Sequence, residues 1–473
     1  MATWAFVADM ASATPAVLLD LNQAGLRVGL DWNLSPPQYD KSRVGGPLRH
    51  GQQVTRSFAG NRVLSIPLEI TQATSDASAQ AIENLSRQLA VDNILKVQFG
   101  TNPVFFRTFA DPEFAASVRG ILTQNTSIKL EIEAEPFAYG PRVTVTGSPF
   151  TVSNNPAAGT NPCAFDIASV LGDVPTPLLL VATSTGASGA PSGLVNRWAH
   201  FATRSRGTPS GYSNVIQAES MTLANSTASV ADAAMSNGNR ITITPGVTAM
   251  SVRASGPFPS GGVSTIEARG LYRVYARIVK TIYTDTWDVQ LKYGTSTTDC
   301  VANDVVRTPV PAPGNNGPWM VDLGFMPVPA YSDPVSLGYS GVSMKVQMPV
   351  VSFWAQRVAG TGNMHVDFLY FTPADESTVI CRFPNTDTTY AVDGTTDAGG
   401  SVYAVTTALD EILTTASPPQ VVGGGGFPEL VPGRTNRIHF LRNVDPNGTV
   451  DAVFDTTTFA AYYWPRWREF TRP

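Results

Sequence analysis

Cysteine is scarce in this chain, and the little there is follows no pairing pattern. Cys163, Cys300 and Cys381 are odd in number and far apart, with no CxxC, which argues against a disulfide framework or a thiolate zinc site. Buried free thiols are expected instead. Charge is thin as well: charged residues make up 15%, lysines number only six, and the formal net charge is -5 with no basic block. A general nucleic-acid binder would cluster Lys and Arg on one face, so the composition argues against that class. No apolar run approaches the roughly 18 residues of a membrane span. The opening MATWAFVADM has no charged stretch leading into a long apolar one, so neither an export signal nor a membrane partner is expected.

Catalytic signatures are missing too. There is no GxxxxGK[ST] phosphate loop, no GxGxxG after a strand, no HExxH and no GxSxG elbow, the motifs that would announce nucleotide, zinc or serine-nucleophile chemistry. The four histidines, His50, His200, His365 and His439, lie in separate segments without metal-ligand spacing. Structural or surface roles are expected for them. A carboxylate pair for glycoside hydrolysis is not visible in sequence and not excluded by it. The expectation is a protein that is not an enzyme, with no catalytic residue and no cofactor-binding residue assigned.

What the chain has in abundance is turns. Gly (40) and Pro (36) are scattered among short apolar runs that bring hydrophobic residues to 43%, the texture of many strands and many loops. At 473 residues a prior of about three domains applies. In QQVTRSFAGNRVLSIPLEI, Leu64, Ile66, Leu68 and Ile70 alternate with polar or proline positions, the period of a half-buried strand. Pro67 has no N–H to give a ladder, which predicts an edge or a bulge at that point. The stretch TSDASAQAIENLSRQLAVDN places Ile82, Leu85 and Leu89 on one stripe behind Ser75 or Asp76 as a cap, predicting the one long helix. ILKVQFG, VFFRTFADPEF and IKLEIEAEPF then return to strands, and the run ends abruptly in PFAYGP.

From residue 144 the strands shorten, and PLLLVAT is followed by a Gly/Ser/Pro stretch, STGASGAPSG. A second all-β set follows, from VIQAESMTL through RITITP, MSVRAS, GLYRVYARIVKT, TWDVQLKYG, WMVDLGFMPV and SMKVQMPVV to HVDFLYFTP, roughly the eight strands of a jelly roll. Glu219 lies at the start of its first strand and Asp367 in its last. Such strands commonly lie side by side, so the two carboxylates would supply part of the six to eight oxygens of a Ca²⁺ shell. The alternative is that both face solvent. Tyr283, Trp287, Trp319 and Tyr339 are candidates for stacking on sugar rings, with core or rim packing as the alternative. After residue 375 come STVICRF, TTYAVDG, SVYAVTTAL, a VVGGGGFPELVPG loop, TNRIHFLRN, VDAVFDT and AAYYWPRWREF.

The order GNRVLSIPLEI, a helix ending LSRQLAVDN, LKVQF, VFFRTF and a last strand running into EAEPFAYGP resembles the distal tail proteins of siphophages. In that family the junction is where an N-terminal ring-forming domain hands over to a galectin-like β-sandwich, and prolines such as Pro136 and Pro141 stiffen such an exit. The family's usual ending, a PELVPG strand followed by N-x-I and an aromatic terminal strand, stands only near the C-terminus here. The resemblance therefore implies a mainly β protein: an N-terminal α+β ring-forming domain at 1–141 and a sandwich at 142–205 plus 376–473, split by an inserted jelly roll at 206–375 that resembles a calcium-containing carbohydrate-binding module. Glu219 and Asp367 match that module's metal-binding acidic positions.

The implied function is mechanical, with the protein in the virion at the phage tail tip, made in the host cytoplasm. It would form a homohexameric ring joining tail tube protein to tail hub proteins, with DNA only in transit through the lumen, and the insert would meet host-surface glycan. An acidic wall lets DNA slide, since neutralising its phosphates would retain it. A receptor-binding or fibre-like adhesin and a polysaccharide-degrading enzyme with an appended binding module remain open.

Overall fold

The computed structural model describes residues 2–11, 13–45, 52–111, 125–153, 163–185, 197–204, 214–225, 227–233, 235–246, 248–258, 270–294, 296–308, 310, 318–328, 350–374, 378–383, 389–395, 400–405, 420–424, 426–442 and 456–468. The protein is mainly β, built of antiparallel sheets, with one α-helix among the described residues. That helix is too short to cross a membrane. The chain forms two compact units, one of Met1–Val143, Leu171–Thr176 and Tyr463–Pro473, the other of Thr144–Val170 and Pro177–Tyr462.

In the first unit the alternation of Leu64, Ile66, Leu68 and Ile70 is observed as expected, all four buried. Their strand, Arg62–Thr71, pairs along its whole length with Asn125–Ala134. It is an inner strand, not an edge, because Leu26–Val28 and Asn33–Leu34 pair with its other side. Pro67 falls in the gap between those two short strands. Its carbonyl accepts from Gly29 N at 2.8 Å, so its nitrogen faces the same gap, where no regular ladder asks for a donor. The neighbouring strand is interrupted where the proline needs it to be.

The helix spans Ser75–Leu89, and its cap is Thr74, one residue before the expected pair: Oγ1 accepts from Ala77 N at 3.1 Å. Such a cap stabilises by about 1 kcal/mol. Ile82, Leu85 and Leu89 are buried with Ser78, and the stripe packs into the same core as Trp4, Phe6, Leu95 and Phe106.

The junction EAEPFAYGP does more than end a strand. Ala138–Tyr139 pairs with Arg466–Trp467 near the C-terminus, and Tyr139 also pairs with Phe105. Gly140 donates to Pro465 O at 2.9 Å, and a Cβ at that glycine would lie 2.7 Å from the Trp467 ring. Arg62, fully buried, donates from Nε to Pro136 O at 2.9 Å and from Nη2 to Arg468 O at 3.0 Å. Burial without a carboxylate pulls its guanidinium down to about 10, and the ring of Phe106 lies 5.4 Å below it. The closing residues Tyr463–Pro473 thus group with the first unit, whereas the sequence reading ran the sandwich on to 473.

In the second unit, early and late segments interleave. Phe150–Ser153 pairs with Thr456–Tyr463, and Ala164–Ile167 with Asn436–Arg442, in registers such as Thr151↔Thr458 and Phe165↔Ile438. Arg197–Arg204 lies between Asn436–Arg442 and Thr378–Phe383, and Thr176–Thr185 beside Thr389–Asp393. Phe459 of one sheet meets Phe165 and Phe440 of the other at 5.6 and 4.7 Å between ring centres, so aromatic side chains fill the space between the layers.

Between those segments the chain builds two six-stranded sheets. One runs Thr227–Ala231, Asn239–Ile243, Met364–Pro373, Gly270–Lys280, Trp319–Val328, with Val215–Gln217 added on Met364–Pro373. The other runs Thr222–Leu223, Ser251–Pro257, Val350–Ala359, Thr286–Gly294, Cys300–Ala302, with Val306–Arg307 added on Thr286–Gly294. Trp287, Trp319, Phe353 and Phe371 are among the side chains of the core they share. First and last strands of the set do lie together, at Val215↔Tyr370. VIQAESMTL, however, is not one strand: a 3₁₀ turn at Ala218–Ser220 carries the chain from the first sheet to the second.

Candidate functional site

Asp367 is buried on Met364–Pro373, beside a register shift in the adjoining strand between Ala276 and Ile278. Arg277, which sits in that shift, donates from Nη1 to its Oδ2 in a pair with almost no solvent exposure. Ser236 N donates to the carboxylate at 3.1 Å, and Ser236 Oγ lies 2.8 Å from Oδ1 and 2.7 Å from Gln217 Oε1. A buried ion pair needs such added hydrogen bonds, since desolvation otherwise outweighs attraction. Glu219 occupies the 3₁₀ turn rather than a strand. Its Oε1 accepts from Asn237 Nδ2 at 2.8 Å, while its Oε2 is shielded without a hydrogen-bond partner.

The two acids therefore reach consecutive residues of one turn, Ser236 and Asn237, without forming a shared cation shell. Asp367 has its charge matched by a guanidinium and both oxygens engaged, so it does not fit the role of a Ca²⁺ ligand expected from sequence. Among the described residues no group of three or more His, Cys, Asp or Glu is arranged to hold a metal. What the arrangement does is tie the turn to the first and last strands of the module.

The aromatic candidates separate in the same way. Trp287 and Trp319 are core residues, Tyr283 is half-buried, and Tyr339 lies outside the described residues. Applied to TWDVQLKYG, the period of two already places Trp287 with Val289 and Leu291 on the inner face, as observed. His365 and His439 are buried. His365 Nδ1 lies 3.0 Å from Thr242 Oγ1, and burial first, then nearby Arg240, pulls its imidazole down to about 4.

The outer faces of the module's two sheets have different surroundings. On the sheet of Asp367, Val215, Tyr275, Met320, Phe368 and Tyr370 form a buried cluster with Cys163 and Leu441 of the flanking strands. Tyr370 Oη lies 2.8 Å from His439 Nδ1 and donates to Cys163 O at 3.2 Å. Burial raises the Cys163 thiol far above its ordinary range, so it is inert as a nucleophile at neutral pH. This face is a docking joint.

On the second sheet, Val351, Phe353 and Ala355 point inward, and the alternate residues Ser352, Trp354 and Gln356 point out. The adjoining strand presents Asp288, Gln290 and Lys292 in register: Asp288↔Gln356, Gln290↔Trp354, Lys292↔Ser352. Trp354, Gln356, Gln290 and Lys292 are half-exposed, and none belongs to a described apolar cluster. Trp354 donates its indole N–H to Ser352 Oγ at 3.0 Å, and that hydroxyl donates to Lys292 O at 3.2 Å, which fixes the plane of the ring. Lys292 Nζ rests 3.5 Å from the ring centre. Asp288 pairs with Arg307 at 2.9 Å and accepts from Gln356 Nε2 at 3.2 Å. Those bonds, Arg307 foremost, hold its carboxyl below the usual range. An indole held edge-in, flanked by amides and charge, can stack on a ring and bond its substituents. The strand expected at SMKVQMPVV ends at Val351 and leaves Trp354 outside it, whereas the strand observed is Val350–Ala359.

No family model matches this chain, and no curated protein matches it. Among solved structures, the Dit protein of SPP1, described as a paradigm of the hub adsorption apparatus in phages infecting Gram-positive hosts, aligns over 98% of this chain and 99% of its own at 9% identity, with a TM-score of 0.28. The structure of the infectious bursal disease virus Gx strain aligns over 70% of this chain and 82% of its own at 6% identity, with a TM-score of 0.15. At these identities and scores neither alignment carries a role across.

Proposed function

We propose that this chain is a structural virion component, a distal tail adaptor whose N-terminal unit assembles into a hexameric ring between tail tube and tail tip, and whose module at 206–375 turns an open face toward host-surface glycan. The reading divides the chain into the ring-forming domain, the split sandwich and its guest, and it requires no cation. The observation that carries it is the pairing of Ala164–Ile167 with Asn436–Arg442 around a module with its own two-sheet core. Insertion is physically workable where the guest's ends lie close together, as Val215–Gln217 and Met364–Pro373 do. A ring needs closed heterologous interfaces, and weak ligand sites repeated around it would gain through multivalency.

The test is the particle formed by the purified full chain, imaged by negative stain with its mass measured by light scattering. Rings of six support the adaptor. A trimer supports the adhesin reading instead and ends this one. Removing residues 212–375 behind a short Gly/Ser bridge should preserve the ring. It should also lower the melting temperature, because Cys163 and Leu441 lose the apolar partners they have in Phe368 and Tyr370.

A further inference from the structure

We infer that the open face around Trp354 selects anionic saccharides, rings carrying a carboxylate or a phosphate, over neutral ones, and that Lys292 is the selecting group. This rests on the reading of the module as a glycan binder and adds the class of glycan.

The geometry of one pair carries the inference. Lys292 Nζ rests 3.5 Å from the centre of the Trp354 ring, and among the described residues no carboxylate pairs with it. Asp288, an acid on the same face, is already matched by Arg307 and Gln356. Lys292 is therefore a cation whose partner is a π-face, an attraction that is modest at an exposed site. A sugar stacking on Trp354 needs the surface that the ammonium covers. The indole cannot turn to offer another, since its N–H is held by Ser352. Lys292 must swing away on its flexible stem.

A neutral ring leaves the displaced ammonium with water alone, so the lost attraction counts against binding. An acidic ring gives the ammonium a charge-assisted hydrogen bond, stronger than the contact it surrendered. Specificity is the difference between those outcomes. The same displacement that hinders neutral sugars is offset only by an anion.

The experiment is isothermal titration of the full chain with three oligosaccharides of equal length: a glucan containing glucuronate, a glucan carrying 6-phosphate monoesters, and a neutral glucan. The expected result is an affinity at least about tenfold higher for one or both anionic probes, about 1.4 kcal/mol, weakening as salt rises. Whichever anion leads identifies carboxylate or phosphate as the group recognised. Lys292→Met, which keeps the stem and drops the charge, should bring anionic and neutral affinities together without shifting the melting temperature, and Lys292→Arg should restore the preference. Trp354→Ala should abolish binding of every probe. Neutral glucan bound as tightly as the anionic probes, or a preference that survives Lys292→Met, overturns the inference while leaving the glycan face standing. No binding of any probe overturns both. Ring assembly, read independently by particle mass, is untouched by either result.

Discussion

The module's two outer faces use the same residue types to opposite ends. On the docked face Arg277 and Asp367 are a cation and an acid sealed from water, with Ser236 adding hydrogen bonds to the carboxylate, and the aromatic Tyr370 is pinned by His439 and Cys163. On the open face Lys292 is a cation on a half-exposed indole, and the acid Asp288 is shared between an exposed arginine and an amide. Burial decides the difference. A charge out of water must be fully answered or it destabilises the fold; a charge at the surface is cheap to leave partly answered and so remains usable for a ligand. The face whose ion pair is sealed from water is the joint, and the face whose cation rests on a half-exposed ring is the one suited to recognition.

The contrast can be broken most forcefully at the sealed pair. Arg277→Met leaves Asp367 charged and buried, and a loss of about 3–5 kcal/mol in unfolding free energy is expected by urea denaturation. Arg277→Met combined with Asp367→Leu should recover much of that loss, because no uncompensated charge remains. Equal destabilisation by single and double variants would mean the pair is not coupled.

A smaller effect is expected from Tyr370→Phe, which deletes only the hydroxyl shared with His439 and Cys163. The Cys163 carbonyl keeps its bond from Phe440 N at 2.7 Å, so a loss of about 1 kcal/mol is expected, and tryptic cutting of the flanking strands should accelerate if the joint loosens.

The sheet that carries Asp367 should also be acid-sensitive. His365 titrates at about 4 when folded and near the ordinary 6.5 when unfolded. Between those values the unfolded chain binds more protons, so stability falls as pH drops from about 6.5 toward 4. Arg240, paired with Asp232 at 2.9 Å, strengthens the effect by opposing an imidazolium. His365→Gln should flatten this part of the melting-temperature profile relative to the parent; an unchanged slope would show that other groups carry it.

The smallest stability effect belongs to the open face, where Trp354→Ala should change unfolding free energy by no more than about 1 kcal/mol, since the side chain is only half-buried. A loss as large as that of Arg277→Met would mean this face is packed against something.

Period and punctuation made much of this legible beforehand. Leu64 to Ile70 announced their strand, Ile82, Leu85 and Leu89 their helix, and the pairing of residues near 165 with those near 438 was expected from the delayed PELVPG segment. What eluded sequence reading depends on residues brought together from far apart. Pro67 sits inside a sheet because Gly29 and its neighbours leave a gap opposite it, which no local pattern announces. Glu219 and Asp367 were placed near one another by topology, but Arg277 enters through a register shift, and shifts leave no composition signal. Trp354 was recoverable: once the strand is taken as Val350–Ala359, alternation alone puts Phe353 inside and Trp354 outside. The return of Arg466–Trp467 to Ala138–Tyr139 was not, since two residues make no period.

Hydroxyl-radical footprinting of the intact chain, read residue by residue by mass spectrometry, tests most directly whether the module is fixed by one face and open at the other. Trp354 should oxidise readily while Tyr370, Trp287 and Trp319 stay protected. Oxidation of Tyr370 at a rate matching Trp354 would mean that the module swings free, and protection of Trp354 alongside the rest would mean that there is no open face.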